Sequence, residues 1–587
     1  MKPKYDFYDV VIVGTGVSGA LIACKLSEAG RRVLLLDAGS VPKDRKDYVK
    51  SFAEAPQKER IISRPYVKSG DDADKFAPSA DGDDLKLNKE IPFGPNKYYD
   101  QPGPSAFKSS YLRLIGGSTW AWRGNSPRFI PDDFKLKTKF PKLAEKYPDV
   151  ADWSISYDDI EPYFSEAEQE IGVAADHDEW NNLFGAYRSK PFPMKKIAQA
   201  YGDLQLIKAF ADAPEEKKFF EGKEIKFFGL PQARNSERYQ DRPPCEGNNN
   251  CIPLCPIQAK YDATVHLKKA AANGAETIEK AVVTRLEAGE NGNIAKVWYK
   301  TWGEKNEDFG EHFISGKIVV LAAHAIETPK ILLMSDGIAP IAKQNEIVGA
   351  YLMDHLGGEG AAIMPFPVFP FRGPQSTSCI ESFRNHEQRD VKCVFRLTIG
   401  NDGWGRGKHP YATLEDLLKR KLFGEELKKE LHHIVTHQLR IAYASEQLPN
   451  KKNRVRLADE KDELGIPKPK IEFTVDDYSL EGMKMAQEVI KHIFRTVGAA
   501  ETEWEFSNLT DAKNYVYSGS AHIMGTCRMG DTPETSVVDA DCRSHEHKNL
   551  FIVDGSVFTT GAPTNPTIVT AALALLAADK MIIDLKG

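Results

Sequence analysis

The sequence predicts an α/β fold assembled from several chain segments, and three observations predict it. Within the first forty residues an apolar strand, a glycine turn, a helix and a second apolar strand follow one another. A strand-turn-helix pattern returns near residue 318, and short β-rich runs separated by turn residues occupy 445 to 479. The length, 587 residues, exceeds what one hydrophobic core usually serves, so more than one packed unit is expected.

Composition narrows the class. Apolar residues make up 41% and charged residues 28%, values of an ordinary folded chain, which excludes wholesale disorder. Lysine and arginine number 78 against 84 acidic residues, a formal charge of -6, and no domain-scale basic excess marks a nucleic-acid surface. The most apolar stretch, "IVTAALALLAA", is stopped by Asp579 short of a membrane span. The N-terminus reaches its glycine turn almost at once and shows no signal-peptide cleavage pattern, so export is expected to depend on a partner.

In "YDVVIVGTGVSGALIACKLSEAGRRVLLLDAGS" the expected elements are a strand from Val10 to Val13, a helix from about Val17 to Ala29 and a strand from Val33 to Leu36. Gly14 permits the tight turn and Gly16 lets backbone approach a pyrophosphate at the helix N-terminus. Gly19 lets the helix pack closely on the strand. Asp37 ends the second strand 18 residues after Gly19, where a carboxylate accepts hydrogen bonds from the ribose of an adenosine. A dinucleotide site is expected. The carboxylate disfavours the 2′-phosphate of NADP, and FAD and NAD both remain.

Three later segments choose between them. "RLIGGSTWAWRGNSPRF", 113 to 129, contains Gly116, Gly117 and Ser118, and its paired glycines let backbone approach a ligand closely. "GKIVVLAAHAIETPKILLMS" reads as a strand from Ile318 to Ala322, a turn and a helix beginning near Thr328 and Pro329. "SAHIMGTCRMG", 520 to 530, precedes "NLFIVDGSVFTTGAPTNPTIVTAALALLAADKM", 549 to 581. These motifs together resemble those of the glucose-methanol-choline (GMC) family of flavin oxidoreductases, from residue 8 to about 582 with gaps near 41 to 100 and in the middle.

The resemblance implies FAD, and a Rossmann-like FAD-binding domain, similar to that of pyranose oxidase, interleaved with an α+β substrate-binding domain, whose sheet the β-rich runs Asn453 to Leu457 and Lys470 to Thr474 resemble. It implies that Asp554 and Gly555 lie beside the pyrophosphate, that Asn565 and Pro566 start a helix beneath the isoalloxazine, and that Gly116, Gly117 and Ser118 belong to the flavin loop. The expected division is an FAD-binding segment 1–155 with an exposed insertion at about 41–108, then a substrate-domain segment 156–230. A second FAD-binding segment at 231–347, a substrate-binding segment at 348–515 and a third FAD-binding segment at 516–587 follow. A narrower likeness, in "NNNCIPLCPIQAKYDATVHLKKA", "GGSTWAW" and "SVVDADCR", is to bacterial sugar-dehydrogenase large subunits of the glucoside 3-, gluconate 2-, glucose and fructose dehydrogenase type. Pyranose 2-oxidase tethers its flavin through a histidine where this chain has Ala121, so non-covalent FAD is expected.

Oxidising an alcohol to a ketone or lactone removes a hydroxyl proton while the carbinol hydride leaves, so a base must stand beside a positioned C–H. His522 in "AHIMG" matches the family's catalytic histidine, and Asn565 in "PTNPT" matches its partner, which would hold the substrate oxygen. Asn565 also suits a turn or helix cap before Pro566. His324, His355 and the group His432, His433 and His437 match neither motif and read as surface or packing residues.

The chain has eight cysteines, and three of them, Cys245, Cys251 and Cys255, fall within "CEGNNNCIPLCP". Close thiols ending in Cys-Pro fit iron–sulfur ligation, and three thiolates without a fourth nearby are consistent with a [3Fe-4S] cluster. The sugar-dehydrogenase likeness implies the same cluster. Some relatives carry two adjacent cysteines where this chain has Cys245 and Glu246, and Cys245 is taken as the ligand because three thiolates then remain. A zinc site completed by His266 or a distant residue, a disulfide and simple packing are the competing readings. A cluster passes electrons singly, which favours a dehydrogenase with a protein acceptor over an oxygen-using oxidase; a non-catalytic electron-transfer subunit that carries FAD and cluster is the third reading. The resemblance adds a small companion subunit and a cytochrome c or similar acceptor, with a periplasmic or membrane-peripheral place reached by co-export, or a cytoplasmic one without a partner. A sugar or glycoside is the expected substrate, with oxidation of a glucoside at its third carbon slightly favoured.

Two segments have blander readings. Residues 41 to 108 are charged and rich in Pro and Gly, an exposed excursion or a lid. "LEDLLKRKLFGEELKKELHHIV", 414 to 435, has amphipathic helical spacing and is expected to bury its stripe in the core or a subunit contact.

Overall fold

The computed structural model describes residues 3–40, 45–46, 49, 98–102, 107–252, 254–301, 310–335, 346–403, 410–462, 464–509 and 518–586. Most of the insertion foreseen at 41–108 lies outside the described residues.

The N-terminal unit is β1 (Phe7–Val13), α1 (Val17–Glu28) and β2 (Val33–Leu36). Then come α2 (Tyr157–Ile171), β3 (Phe227–Gly229), α3 (Thr264–Ala272), β4 (Glu276–Ile278), β5 (Ala281–Ala288), β6 (Ile294–Thr301), β7 (Glu311–Leu321) and α4 (His324–Met334). The chain continues through β8 (Leu356–Ile363), β9 (Ser378–Ile380), β10 (Phe395–Gly400), β11 (Gln438–Ser445), β12 (Arg454–Lys461), β13 (Pro467–Glu472) and α5 (Asp477–Thr496). It ends with β14 (Glu505–Phe506), β15 (Ser518–Gly519), β16 (Leu550–Ile552) and α6 (Thr567–Asp584).

Two sheets organise these elements. In the first the order is β4-β2-β1-β7-β6-β5, with β16 also paired to β7. β4, β2, β1, β16 and the second half of β7 run parallel, whereas β5, β6 and the start of β7 form an antiparallel extension. β1 and β2 are near-continuous apolar runs because helices cover the parallel layer. α1 packs on α3 and α6, and α6 packs on α2, so the apolar C-terminal stretch is a core helix of this layer. Among the described residues no helix is long and apolar enough to cross a membrane.

The second sheet has the antiparallel order β14-β8-β11-β10-β9-β3, with β15 also on β8. Its period-two alternation sorts the side chains. Leu397, Ile399, Ile441 and Tyr443 pack with α5, while Arg396, Thr398, Arg440 and Ala442 point the other way. Cys379, paired to Thr398, belongs to the core of the first layer, so this other face looks toward that layer.

Three expectations are corrected here. The β-rich runs near 453–457 and 470–474 do not build the large second sheet. They form the separate ribbon β12–β13, which packs on α4 and is tied to Gly349 by a Val455 N–H bond of 2.8 Å. α4 starts at His324 rather than near Thr328, with Pro329 inside it. Proline cannot donate to the carbonyl four residues back, and Thr526 Oγ1 takes its place, donating to Ala325 O at 2.6 Å. The stretch 414–435 is two helices, Pro410–Lys419 and Gly424–His437, divided at a glycine with φ of 59°. The second of them buries no residue, so its stripe is not core.

Candidate active site

The glycine turns of the first layer stand back to back. Gly14 takes φ of 101°, and a Cβ there would overlap Ala322 O; a Cβ at Gly19 would overlap Gly14 O. Gly16 is different, because a Cβ there would meet nothing within 4 Å. Gly117 lies against it, its Cβ position 3.3 Å from Gly16 Cα, and Gly116 N donates to Thr15 Oγ1 at 3.0 Å. Ser118 Oγ accepts from Leu112 N at 3.1 Å, holding the start of this loop. The structure thus brings Gly14, Gly16, Gly19, Gly116 and Gly117 around one open backbone cradle at the N-terminus of α1. Ser18 in the first turn of α1 keeps a buried hydroxyl without a partner. An uncapped helix start, an open cradle and an orphaned hydroxyl fit a dinucleotide pyrophosphate.

Two carboxylates frame the cradle. Asp37 Oδ2 accepts from Thr15 N at 3.0 Å and Thr15 Oγ1 at 2.6 Å, and Oδ1 accepts from Gly39 N at 2.8 Å. Part of its capacity is therefore spent on the turn itself, and a ribose hydroxyl would have to use what remains on Oδ1. Asp554 Oδ2 accepts from His324 N at 3.0 Å and Thr328 Oγ1 at 2.6 Å, anchoring the start of α4, while Gly555 O accepts from Gly525 N. That last bond joins the Asp-Gly turn to the segment that follows His522.

His522 and Asn565 meet. Asn565 Nδ2 lies 2.9 Å from His522 Nε2, and Arg396 Nη1 donates to Asn565 Oδ1 at 2.9 Å. Arg396 can only donate, which fixes the amide with its NH2 toward the histidine. α6 begins after Pro566 without a side-chain cap, so Asn565 serves this contact and not the helix.

His355, expected to be a surface or packing residue, stands in this constellation. Its Nδ1 lies 2.8 Å from His522 Nδ1, and its Nε2 faces Gly561 O at 3.1 Å and Ala562 O. Carbonyls only accept, so His355 Nε2 carries a proton and its Nδ1 accepts. His522 Nδ1 must then donate, which leaves a lone pair on His522 Nε2, the atom facing Asn565. Asp354 clamps both backbones, accepting from His355 N at 2.8 Å, His522 N at 2.9 Å and Ser520 N at 3.0 Å. Asp354 and His355 carried no sequence signal beyond the bare dipeptide before a strand. His324, half-buried, packs instead: it lies stacked on Tyr111, 4.2 Å between ring centroids.

Burial holds the histidines of this group neutral. Burial pushes the His522 imidazolium well below the usual histidine range, with His355 and Arg396 adding to the effect. Burial also lowers His355 and His324 to about 4 and raises Asp354 to about 6. Around Asn565, Glu381 holds Arg396 at 2.8 Å and so balances its charge. His522 and Asn565 themselves remain partly exposed, whereas His355 is buried.

The cysteine loop sits behind the flavin turn. Lys260, buried, donates from Nζ to Thr119 O at 3.1 Å and Trp120 O at 2.7 Å, and its backbone N–H meets Cys255 Sγ at 3.5 Å. Burial raises the Cys245 thiol, opposed by Arg234 and reinforced by Cys251 and Cys255, so the three sulfurs share one neighbourhood. Cys251 and Cys255 are buried, and Glu246 is exposed while Cys245 turns inward. Arg234 keeps Nε and Nη1 unpaired, a setting that suits an anionic thiolate group. Yet among the described residues no three His, Cys, Asp or Glu side chains stand at metal-ligating spacing. His266 is not available to complete a zinc site, because both its nitrogens are used, at 2.8 Å by Tyr261 and at 3.0 Å by Glu170. All eight cysteines are free, which removes the disulfide.

Comparison with known proteins gives the class. GMC oxidoreductase profiles match residues 209–357 and 449–574, and an NAD(P)-binding Rossmann-like domain matches 12–42. The fructose dehydrogenase large subunit of Gluconobacter japonicus is 32% identical over 98% of this chain and 98% of its own. The 2-methyl-1,2-propanediol dehydrogenase of Mycolicibacterium austroafricanum is 26% identical over 99% and 96%, and the gluconate 2-dehydrogenase flavoprotein of Pantoea cypripedii 22% over 96% and 92%. Pyridoxine 4-oxidase from Mesorbium loti shares the fold, with a TM-score of 0.59 over 98% of this chain and 99% of that one at 18% identity. The chain belongs to the GMC oxidoreductase family and is an oxidoreductase; FAD is the cofactor that family implies.

Proposed function

We propose that the chain is the catalytic subunit of an FAD-dependent sugar or glycoside dehydrogenase that oxidises a ring hydroxyl, with His522 as base. The observation that carries this reading is the lone pair left on His522 Nε2 by the relay through His355. FAD, held without a covalent bond by the cradle of Gly14, Gly16, Gly116 and Gly117, supplies the hydride acceptor when bound. His522 Nε2 takes the hydroxyl proton as the C–H bond breaks. Asn565, pinned by Arg396, donates to the substrate oxygen and keeps it from drifting off the base. The imidazole is already neutral at pH 7, so the base needs no prior deprotonation.

Cys245, Cys251 and Cys255 are proposed to hold a [3Fe-4S] cluster that passes electrons singly to a cytochrome c or similar acceptor, with a small companion subunit and a periplasmic or membrane-peripheral place. The relatives at 32% and 22% identity, named as a large subunit and a flavoprotein, support a multi-subunit enzyme. They also move the weight from C3 of a glucoside toward a free sugar, fructose first. An anaerobic panel of D-fructose, D-gluconate and methyl α-D-glucopyranoside, read by flavin bleaching at 450 nm or so and followed by product identification, tests the substrate class. No bleaching by any of them sinks the sugar reading, and peroxide formed in air as fast as sugar is consumed replaces the dehydrogenase by an oxidase. Iron and sulfide analysis with EPR on anaerobically purified protein tests the cluster; protein free of iron removes it.

A further inference from the structure

The face of the second sheet that looks toward the flavin turns has a second polar end. Antiparallel register places Gly357, Ala444 and Arg396 in one row across three neighbouring strands, and Glu359, Ala442 and Thr398 in the next. Arg396 bonds Asn565, so the first row lies at the reacting pair. The second row is two residues further along, about 7 Å at the rise of a strand.

Sheet faces between two layers are normally filled. Here Thr398, Ala442 and Ala444 stay partly exposed in central strands, although the opposite face is packed on α5. Gly357, Ala442 and Ala444 are small, and the hollow they leave spans three strands, about 10 Å across at the usual strand spacing.

Glu359 borders that hollow with its side chain 45% exposed, and it is a held carboxylate rather than a stray one. Arg440 Nη1 donates to its Oε2 at 3.0 Å. Arg440 is itself fixed by Asp402, which accepts from Nη2 at 2.6 Å and Nε at 3.2 Å, and Asp402 also takes Arg123 Nη2 at 3.3 Å from the segment after the flavin turn. Gly400 makes room for this pair, since a Cβ there would come within 2.7 Å of Arg440 Nη2 and 2.8 Å of Asp402 Oδ1. Neither Glu359 Oε1 nor the Thr398 hydroxyl has a hydrogen-bond partner among the described residues. A buried arginine thus aims one free carboxylate oxygen, two strands from a free hydroxyl, into a hollow that begins at the base.

We propose that Glu359, held by Arg440, and Thr398 form a distal subsite that hydrogen-bonds hydroxyls remote from the oxidised carbon of a polyhydroxylated, uncharged substrate. The subsite rests on the sugar-oxidising reading above. A carboxylate oxygen accepts from sugar hydroxyls and repels an aldonate, and a polar site of this kind discriminates against analogues lacking the hydroxyl.

The test is anaerobic stopped-flow reduction of the full FAD-loaded chain by D-fructose and by methyl α-D-glucopyranoside, in wild type, Glu359→Gln and Thr398→Val. Glu359→Gln should raise the half-saturating concentration of the reacting sugar tenfold or more, and Thr398→Val several-fold, with limiting bleaching rates within about threefold of wild type. Unchanged half-saturation in both variants overturns the subsite, as does a loss confined to the limiting rate. If Glu359→Gln takes up no flavin, Thr398→Val, which leaves the Arg440–Asp402 pair untouched, decides alone. A wild type bleached by neither sugar overturns the subsite, and one that D-gluconate does not bleach either overturns the sugar reading with it. A wild type that is bleached beside variants that behave like it overturns the subsite only.

Discussion

The glycine cradle and the histidine constellation are built by opposite means. In the cradle the working parts are missing side chains: Gly16 leaves space, while Gly14 and Gly19 allow backbone to touch backbone. At the histidine end the working parts are side chains that satisfy one another in a single direction, from the Ala562 carbonyl through His355 and His522 to Asn565 and Arg396. A backbone site tolerates no added atom, because nothing nearby can move aside. A side-chain relay tolerates any replacement that keeps each donor facing an acceptor.

Gly19→Ala therefore has the largest expected effect. The new methyl would overlap Gly14 O and crowd Ile12 Cγ2 at 3.4 Å, and both belong to the parallel core. Helix α1 would have to lift from β1, so the variant should yield little soluble yellow protein. Expression followed by flavin absorbance checks this, and a soluble variant with full FAD content would show that the cradle is more compliant than its contacts suggest.

His522→Ala comes next. It leaves the cradle intact, so FAD content should stay at the wild-type level while sugar-driven bleaching slows by about 10²- to 10⁴-fold. Unchanged bleaching removes His522 as base. His355→Leu should cost less, about ten- to a hundredfold, because it leaves His522 Nδ1–H without an acceptor and frees the ring to take the other tautomer. His355→Gln, which can donate to Gly561 and Ala562 and accept from His522, should recover most of that rate. If Gln and Leu behave alike, His355 only fills space.

The same contrast explains what could be read from the sequence. The glycine turns were visible because a site made of backbone forces one residue type into one short stretch. His522 and Asn565 were visible only through likeness to the family, and their neighbours not at all. Asp354 and His355 directly precede one strand and Arg396 lies near the start of another, 42 residues apart at the extremes, and only sheet register brings them together. His355 was read as packing because one histidine before a strand has no local meaning. The ribbon β12–β13 was misplaced for a related reason: alternation shows that a segment is strand, and does not show which sheet it joins. Pro329 misled the start of α4 because its missing hydrogen bond is replaced by Thr526, some two hundred residues away.

The smallest expected effect lies in the pH dependence of stability. Burial lowers His355 in the folded protein to about 4, against about 6.5 for a free histidine. Below that unfolded value the unfolded chain takes up a proton that the folded chain refuses. The contribution of neutral His355 is thus complete above about pH 6.5 and is lost as pH falls through the folded value. Asp354, raised to about 6, acts with the opposite sign: its contribution is complete below the unfolded carboxylate value and is lost as pH rises through 6. Total stability mixes both signs, and the difference between wild type and His355→Gln isolates one. That difference should be flat above pH 6.5 and shift in favour of the variant by up to about 1.4 kcal/mol per pH unit on acidification toward 4. Urea unfolding of both proteins across this window measures it. Parallel curves would mean that the imidazole is already charged in the folded state, and the lone pair on His522 Nε2 would lose its support.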